Sequence, residues 1–405
     1  MKFRYRWALL VLYVISPILV HGTELGRPDH QSLLMLLVML GITAEWSLRV
    51  EPSTAWSMVS GIAWGFALWV SAYEPLLVLL TAIVASAAEG RHLVFGKQRR
   101  TGWISFAAVL AIALLIERRI PSWSIFYSSA IFRNWSRTIG ELTPVLPLNR
   151  IWFIWAGYLV AIAPVLIWLE IRRQRAGTMV VQPESRDPAM PTFMLALLVV
   201  TYLLTIWQAR WAYFFILIFA IALPGLLEPI KPRVAVWIAF GLSIFPILRD
   251  WDQRLWPNEI ELVRRVEQRN ESIGLRELAI SMRSPEMRPF LAPWWLSPSM
   301  SYWSQQPAVA GSSHESIAGI ADSARFYLEN DPRRALELLG KRSVAWVLAY
   351  DEDRIAQNSA AVLGTPTSNY PLCRTIDRTP GQAPRYLALS VQNGAGKLFR
   401  VTKNP

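Results

Sequence analysis

The stretch from Phe193 to Leu227 reads FMLALLVVTYLLTIWQARWAYFFILIFAIALPGLL. Two uninterrupted apolar runs, Phe193 to Trp207 and Trp211 to Leu227, are joined by a turn whose single charge is Arg210. Such runs read as membrane-spanning helices. A charged residue this close to two apolar runs is expensive unless it has a partner, which marks Arg210 as a candidate functional residue. The bland alternative is an arginine that snorkels to the interface.

Working outward, runs of the same kind lie at Trp7 to Val20, Leu33 to Leu48, Ala55 to Val70, Pro75 to Ala88, Trp103 to Ile116, Ile151 to Leu169 and Val234 to Leu248. About nine spanning segments are expected in residues 1–248, which makes this an α-helical polytopic membrane domain. The composition agrees: 53% of the residues are hydrophobic and only 17% are charged, too greasy a balance for a soluble chain of this length. The 20 Trp and 12 Tyr, many at the ends of the runs, suit rings placed at headgroup level. From Arg249 to Pro405 the pattern becomes that of ordinary soluble protein. There a helix is expected within Trp256 to Met282 and another from Asp331-Pro332 to Leu339. Strands are expected at Val344 to Ala349, Tyr386 to Val391 and Leu398 to Thr402, so the second domain reads as a small α/β fold.

The net charge of +12 would fit a nucleic-acid binder if it were not so placed. Lys2, Arg4 and Arg6, then Arg91, Lys97, Arg99 and Arg100, then Arg172, Arg173 and Arg175, then Lys231 and Arg233 all flank apolar runs. With a cytoplasmic N-terminus every cluster falls on the cytoplasmic side, as the positive-inside rule requires, so topology accounts for the charge and no nucleic-acid partner is expected. An odd number of crossings in the inner or plasma membrane then puts the C-terminal domain outside the cytoplasm. The lone Cys373 excludes an intrachain disulfide.

Three regions face outward together in this topology: the loop at 20–31, the loop at 117–150 and everything after Leu248. The first holds Glu24, Arg27, Asp29 and His30 immediately before a run. Its carboxylate and imidazole can bind a divalent cation, or Asp29 can simply cap the free amides of the helix that follows. The second is longer than a plain connection needs and carries Arg118, Arg119, Arg133, Arg137, Glu141 and Arg150. Neither a glycine-rich phosphate loop, nor Cys/His zinc spacing, nor a nucleophile elbow occurs.

Gly26-Arg27-Pro28-Asp29-His30 before a run, Thr138-Ile139-Gly140-Glu141 in the long outer loop and Gln208-Ala209-Arg210-Trp211 between two later runs occur in an informative order. They resemble the Asp-x-Asp, Thr-Ile-x-Glu and lipid-phosphate arginine motifs of the oligosaccharyltransferase catalytic subunit, a GT-C membrane glycosyltransferase. The stretch from Pro293-Trp294-Trp295 through Val309-Ala310-Gly311 to Ala324-Arg325-Phe326 and Val344-Ala345-Trp346-Val347 is similar to the start of that family's outer domain. The resemblance runs from Met1 to about Asp353. It implies transfer of a glycan from a polyprenyl-phosphate or diphosphate lipid to an acceptor, a protein acceptor in that family. Asp29, His30 and Glu141 would be ligands of a divalent metal, Mg or Mn. Asp29 and Glu141 would be the catalytic carboxylates, Glu141 also orienting the attacking group. Arg210 would pair with lipid phosphate through its planar fork, and Trp294 and Trp295 would lie in the acceptor region.

Two departures shape these expectations. The family takes another essential Asp from a long outer loop that comes before the stretch matching Met1, so that ligand is expected from a truncated segment or a partner chain. The acceptor signature Trp-Trp-Asp-Tyr-Gly stands here as Trp294-Trp295-Leu296-Ser297-Pro298, without the Asp that contacts a sequon hydroxyl. Another lipid-linked-sugar transferase, a polymer ligase or a non-catalytic membrane relative are the alternative readings. A transporter ranks last, since internal repeats are absent. The topology is checked with reporter fusions: those after Arg100 and Arg175 should read cytoplasmic and those after Asn149 and Pro405 outside, and a cytoplasmic C-terminus would overturn it.

Overall fold

The computed structural model describes residues 4–23, 30–118, 129–177, 190–230, 232–367 and 370–402, the side chains of 174–177 and 314 aside. In chain order its helices are α1 (Arg6–Ile15), α2 (Pro17–Gly22), α3 (Gln31–Val50), α4 (Thr54–Val70), α5 (Tyr73–Glu89), α6 (His92–Phe95), α7 (Arg100–Glu117), α8 (Ala130–Thr138), α9 (Arg150–Ala156) and α10 (Leu159–Gly177). They continue as α11 (Thr192–Trp207), α12 (Ala212–Leu227), α13 (Arg233–Ser243), α14 (Phe245–Leu255), α15 (Glu259–Ser281), α16 (Ser297–Ser304), α17 (Ile317–Leu328), α18 (Pro332–Lys341), α19 (Glu352–Leu363) and α20 (Leu372–Arg378). Four strands, β1 (Phe290–Leu291), β2 (Trp346–Ala349), β3 (Leu387–Asn393) and β4 (Gly396–Val401), lie toward the C-terminus. By contacts the chain divides into a first unit of residues 1–121 and 141–256 and a second of 122–140 and 257–405.

All nine expected apolar runs are helical, but the expected number of spans is too high. Among the described residues four stretches are long and apolar enough to cross a membrane: Gln31–Val50, Lys97–Glu117, Ala209–Leu227 and Arg233–Leu255. A fifth arises if α9 and α10, bent by 73°, are taken as one. The shortfall has local causes. The first run is interrupted at Ser16, where Pro17 starts a new helix and the Ser16 hydroxyl donates to the Trp155 carbonyl at 2.6 Å. The Ile151 to Leu169 run breaks at Gly157, whose φ of +69° suits glycine. A Cβ there would lie 2.2 Å from the Ser243 carbonyl oxygen. Helices α4 and α11 are apolar but only 17 and 16 residues long.

Helix α12 is the axis of the first unit. It is buried on every face, Ile221 alone being partly exposed, as expected of a helix that is hydrophobic all round. Helices α1, α2, α3, α10 and α11 pack against it. Helix α4 meets α7 through small residues at four-residue spacing, Ser57, Gly61 and Gly65. A Cβ on Gly61 would fall 2.0 Å from the Gly102 carbonyl oxygen, and the Ser57 hydroxyl accepts from the Gly102 amide at 3.1 Å. Small side chains let two backbones approach where lipid supplies no hydrophobic drive for association.

The second unit is a mixed sheet of order β1-β2-β4-β3 with helices against it. Strands β1 and β2 are parallel, β2 and β4 antiparallel with Val347 opposite Phe399, and β3 and β4 form a hairpin. Phe290, Leu348, Leu398 and Phe399 are almost wholly buried in its core. Its elements start where the side chains direct: Asn258 caps α15 by accepting from the Glu261 amide at 2.9 Å, and Asp331 caps α18, with Pro332 in its first turn, by accepting from Arg333. Burial pushes the Cys373 thiol up to about 12, so this cysteine packs rather than reacts. Helix α8 packs on α17 and α19, with Trp135 buried beside Ile317, Ile320 and Val362.

Asp322, on α17 and only 3% exposed, accepts hydrogen bonds from Lys341 at 3.0 Å, Arg342 at 2.9 Å and Arg325 at 3.0 Å. Burial alone would raise its pKa, but the hydrogen bonds from Lys341 and Arg342 outweigh that and hold the carboxyl below its ordinary value. A depressed folded-state pKa adds stability that is present above the unfolded value, near 4, and lost as pH falls through the folded one. Asp322→Asn should therefore cost the second unit about 2 kcal/mol at pH 7. The difference between variant and parent should close below about pH 4, which pulse proteolysis of the full chain across pH measures.

Candidate functional site

Backbone hydrogen bonds gather one end of the first unit. The Ala209 amide donates to the Thr143 carbonyl at 2.9 Å and the Val145 amide to the Ile206 carbonyl at 3.0 Å, so the loop after Glu141 is laced to the turn that carries Arg210. Three residues on from Arg210, the Tyr213 hydroxyl lies 3.1 Å from His21 Nδ1. Tyr213 also closes on Gly22 together with Met35 of α3: a Cβ on Gly22 would lie 2.6 Å from the Met35 methyl and 3.0 Å from the Tyr213 ring. The starts of α3 and α12, the end of α2, the Glu141 loop and the Arg210 turn thus share one end. Their helix directions require it, because α3 and α12 begin where α2 and α11 finish.

The turn Ala209–Trp211 is a single 3-10 turn between α11 and α12, a tight reversal that leaves Arg210 at the mouth of both helices. Its guanidinium Nη2 forms an ion pair with Glu74 Oε1. Glu74, in the first turn of α5, is 1% exposed, and its other oxygen accepts from the Ser71 hydroxyl at 2.6 Å. Arg210 Nε is buried and has no hydrogen-bond partner among the described residues. The expected cost of a charge here is met by a carboxylate that the apolar pattern hid, since Glu74 stands one residue before a run that begins at Pro75.

Of the other expected site residues, Glu141 is half-buried in the short 3-10 turn Gly140–Leu142, and His30 is exposed at the N-cap of α3. Asp29, expected as a cap or a ligand, lies outside the described residues. Among the described residues no three His, Cys, Asp or Glu side chains gather as a metal site. His30 and Glu141 therefore do not complete a ligand set by themselves.

Trp294 and Trp295 belong to the second unit and are occupied there. The Trp294 indole donates to Asn358 Oδ1 at 2.8 Å and meets Trp135 edge to face, ring centroids 5.7 Å apart. Trp295 lies edge to face with Trp294 and has the Arg354 guanidinium 5.3 Å over its ring. The Asn134-Trp135-Ser136 sequence sits within α8 and Asn270-Glu271-Ser272 within α15.

A second polar cluster was hidden inside the Leu33 to Leu48 run. Glu45 of α3, 5% exposed, accepts from the Ser60 hydroxyl at 2.5 Å and from Arg99 at 2.7 Å. Arg49 donates to the Glu45 carbonyl at 2.9 Å, pairs with Glu89 at 3.5 Å and lies over the Phe193 ring. Ser60, Trp64 and Arg99 also line a cavity of about 20 Å³, room for one water. At 1.5 Å per residue this cluster lies about 21 Å along α3 from Gln31.

No protein-family model matches the chain, and no curated protein matches it in sequence. Solved structures do. The Archaeoglobus fulgidus oligosaccharyltransferase tethered with an acceptor peptide containing the NVT sequon superposes with a TM-score of 0.57 at 12% identity, over 89% of this chain and 58% of that one. The same archaeal enzyme in complex with Zn and sulfate gives 0.53 at 12% identity, over 96% and 60%. The chain has the oligosaccharyltransferase fold. It spans about three fifths of the length of those solved chains. The helical body followed by a small mixed sheet is the order of domains expected from the apolar runs and the strand signals.

Glu45→Gln and Arg99→Met should each destabilise the first unit by about 3 kcal/mol, because each leaves a buried partner unpaired. The double variant should lose less than the sum of the two, since the residues share one network. Denaturant unfolding of the purified full chain in detergent measures both.

Proposed function

We propose that this chain is a lipid-linked-sugar transferase that moves a glycan from a polyprenyl-phosphate or diphosphate lipid to an acceptor outside the cytoplasm. The observation that carries the reading is the Arg210 turn laced to the Glu141 loop at one end of the first unit, in a chain with the oligosaccharyltransferase fold. The turn that carries Arg210 and the loop that follows Glu141 come from distant parts of the chain and are joined by main-chain hydrogen bonds, which supports the reading.

In this reading the acceptor nucleophile attacks the anomeric carbon of the sugar. A carbon–nitrogen or carbon–oxygen bond forms there as the carbon–oxygen bond to the lipid phosphate breaks, and the electron pair leaves on the phosphate oxygen. The Glu141 carboxylate accepts a hydrogen bond, then the proton, from the attacking group. That orients the nucleophile and raises its electron density. Arg210 holds the departing phosphate, where charge develops, by charge-assisted hydrogen bonds. No step is routed through a metal; Asp29, one of its expected ligands with His30 and Glu141, lies outside the described residues.

The acceptor is proposed to differ from a sequon peptide of the usual kind. Leu296 stands where the family has the Asp that contacts the sequon hydroxyl, and the Trp294 indole N–H is already taken by Asn358. A glycan or lipid-borne acceptor, as in a polymer ligase, fits that departure.

The full chain reconstituted in vesicles with polyprenyl-diphosphate sugar tests the proposal. Glu141→Gln keeps the shape and removes the charge, so it should abolish transfer while the protein stays folded and still binds donor. Arg210→Lys should weaken donor binding by about 1.5 to 3 kcal/mol, because a point charge cannot reproduce the planar fork. Unchanged donor affinity in Arg210→Lys and Arg210→Ala at several salt concentrations would rule out the phosphate role.

A further inference from the structure

We infer that Glu74 is a positioning residue for Arg210, holding one edge of the guanidinium so that the rest of it is offered to a phosphate; this rests on the lipid-phosphate reading above. Three observations support it. Glu74 is 1% exposed, so its carboxylate cannot reorient into water and must be held by protein partners. Both its oxygens are engaged, Oε2 by the Ser71 hydroxyl at 2.6 Å and Oε1 by Arg210 Nη2, which fixes the carboxylate at the start of α5. Arg210 keeps about a fifth of its side chain exposed while its Nη2 is held by Glu74, so part of the side chain stays open to a ligand.

The electrostatics favour the same assignment. The empty pair is neutral, so Arg210 can stand beside two apolar helices without carrying an uncompensated charge into them. A phosphate then meets a guanidinium already oriented and already paired. It gains directional hydrogen bonds without the cost of ordering a free arginine, the usual benefit of a preorganised site. The ligand this suits is a phosphate monoester or diphosphate at the membrane surface.

Binding of polyprenyl monophosphate to the purified full chain in detergent, with thermal stability measured in parallel, separates the possibilities. Glu74→Gln should weaken binding about tenfold, the loss expected of a disoriented charge-assisted contact. Adding Glu74→Gln to Arg210→Lys should cost nothing further, because the two act through one guanidinium. A merely structural Glu74 would lower thermal stability, leave the affinity of the folded protein at the parental value and add to Arg210→Lys; that result overturns the inference and leaves the proposed function standing. If instead Arg210→Lys and Arg210→Ala bind as the parent does, the proposed function itself fails. Should Glu74→Gln not fold, Ser71→Ala removes only the hydroxyl that steadies the carboxylate and should weaken binding severalfold. Parental affinity in Ser71→Ala would then overturn the inference.

Discussion

A charged side chain inside an apolar body must find its counter-charge within the protein, because neither lipid nor packed side chains can solvate it. The first unit is organised around this requirement. Glu74 and Arg210 meet at one end of the helices, and Glu45, Arg49, Arg99 and Glu89 meet about 21 Å away along α3. Each group draws together helices that are distant in the chain: α5 with the turn between α11 and α12 in one case, α3 with α5 and the start of α7 in the other. Between them α12, buried on nearly every face, needs only apolar neighbours. The polar groups supply the specific pairings, and the apolar contacts fill the space.

The two polar groups differ in their exposure and in what is tied to them. Around Glu45 the charges balance, two carboxylates against two guanidinium groups, and the lined cavity has room for one water. That is the pattern of a structural lock. At the Arg210 end one carboxylate is ion-paired with one partly exposed guanidinium, and the loop bearing Glu141 is tied in by main-chain hydrogen bonds that do not depend on side-chain identity. Such a backbone frame permits the side chains it carries to change without moving the loop.

The second unit meets a buried charge in the same way. A short mixed sheet is covered by helices, and one buried carboxylate, Asp322, gathers three cations from α17, α18 and the residue after α18. Trp135 from the long loop region enters this unit and packs on Trp294, so a loop that interrupts the first unit in the chain becomes part of the core of the second. The aromatic pair at 294–295 thereby gains a packing role that its resemblance to an acceptor signature did not disclose.

Local pattern was enough to point to a body of apolar helices, a small α/β domain after it, the helix at Glu259–Ser281, the Asp331 cap with Pro332 and three of the four strands. Hydrophobic period, capping chemistry and β-branched runs are properties of neighbouring residues and can be read directly. The motif order also pointed to the fold and singled out Arg210 and Glu141. What the sequence could not determine were events between distant residues. Nine apolar runs were legible, but the breaks at Ser16 and Gly157 that shorten two of them come from contacts with Trp155 and Ser243. The partner of Arg210 was invisible because Glu74 lies at the edge of an apolar run and only helix packing brings it to the turn. Glu45 was likewise lost inside a run, its charge met by an arginine more than fifty residues away. Composition tells which residues seek burial or a counter-charge; the tertiary structure alone decides which of them meet, because that depends on how helices approach one another in space.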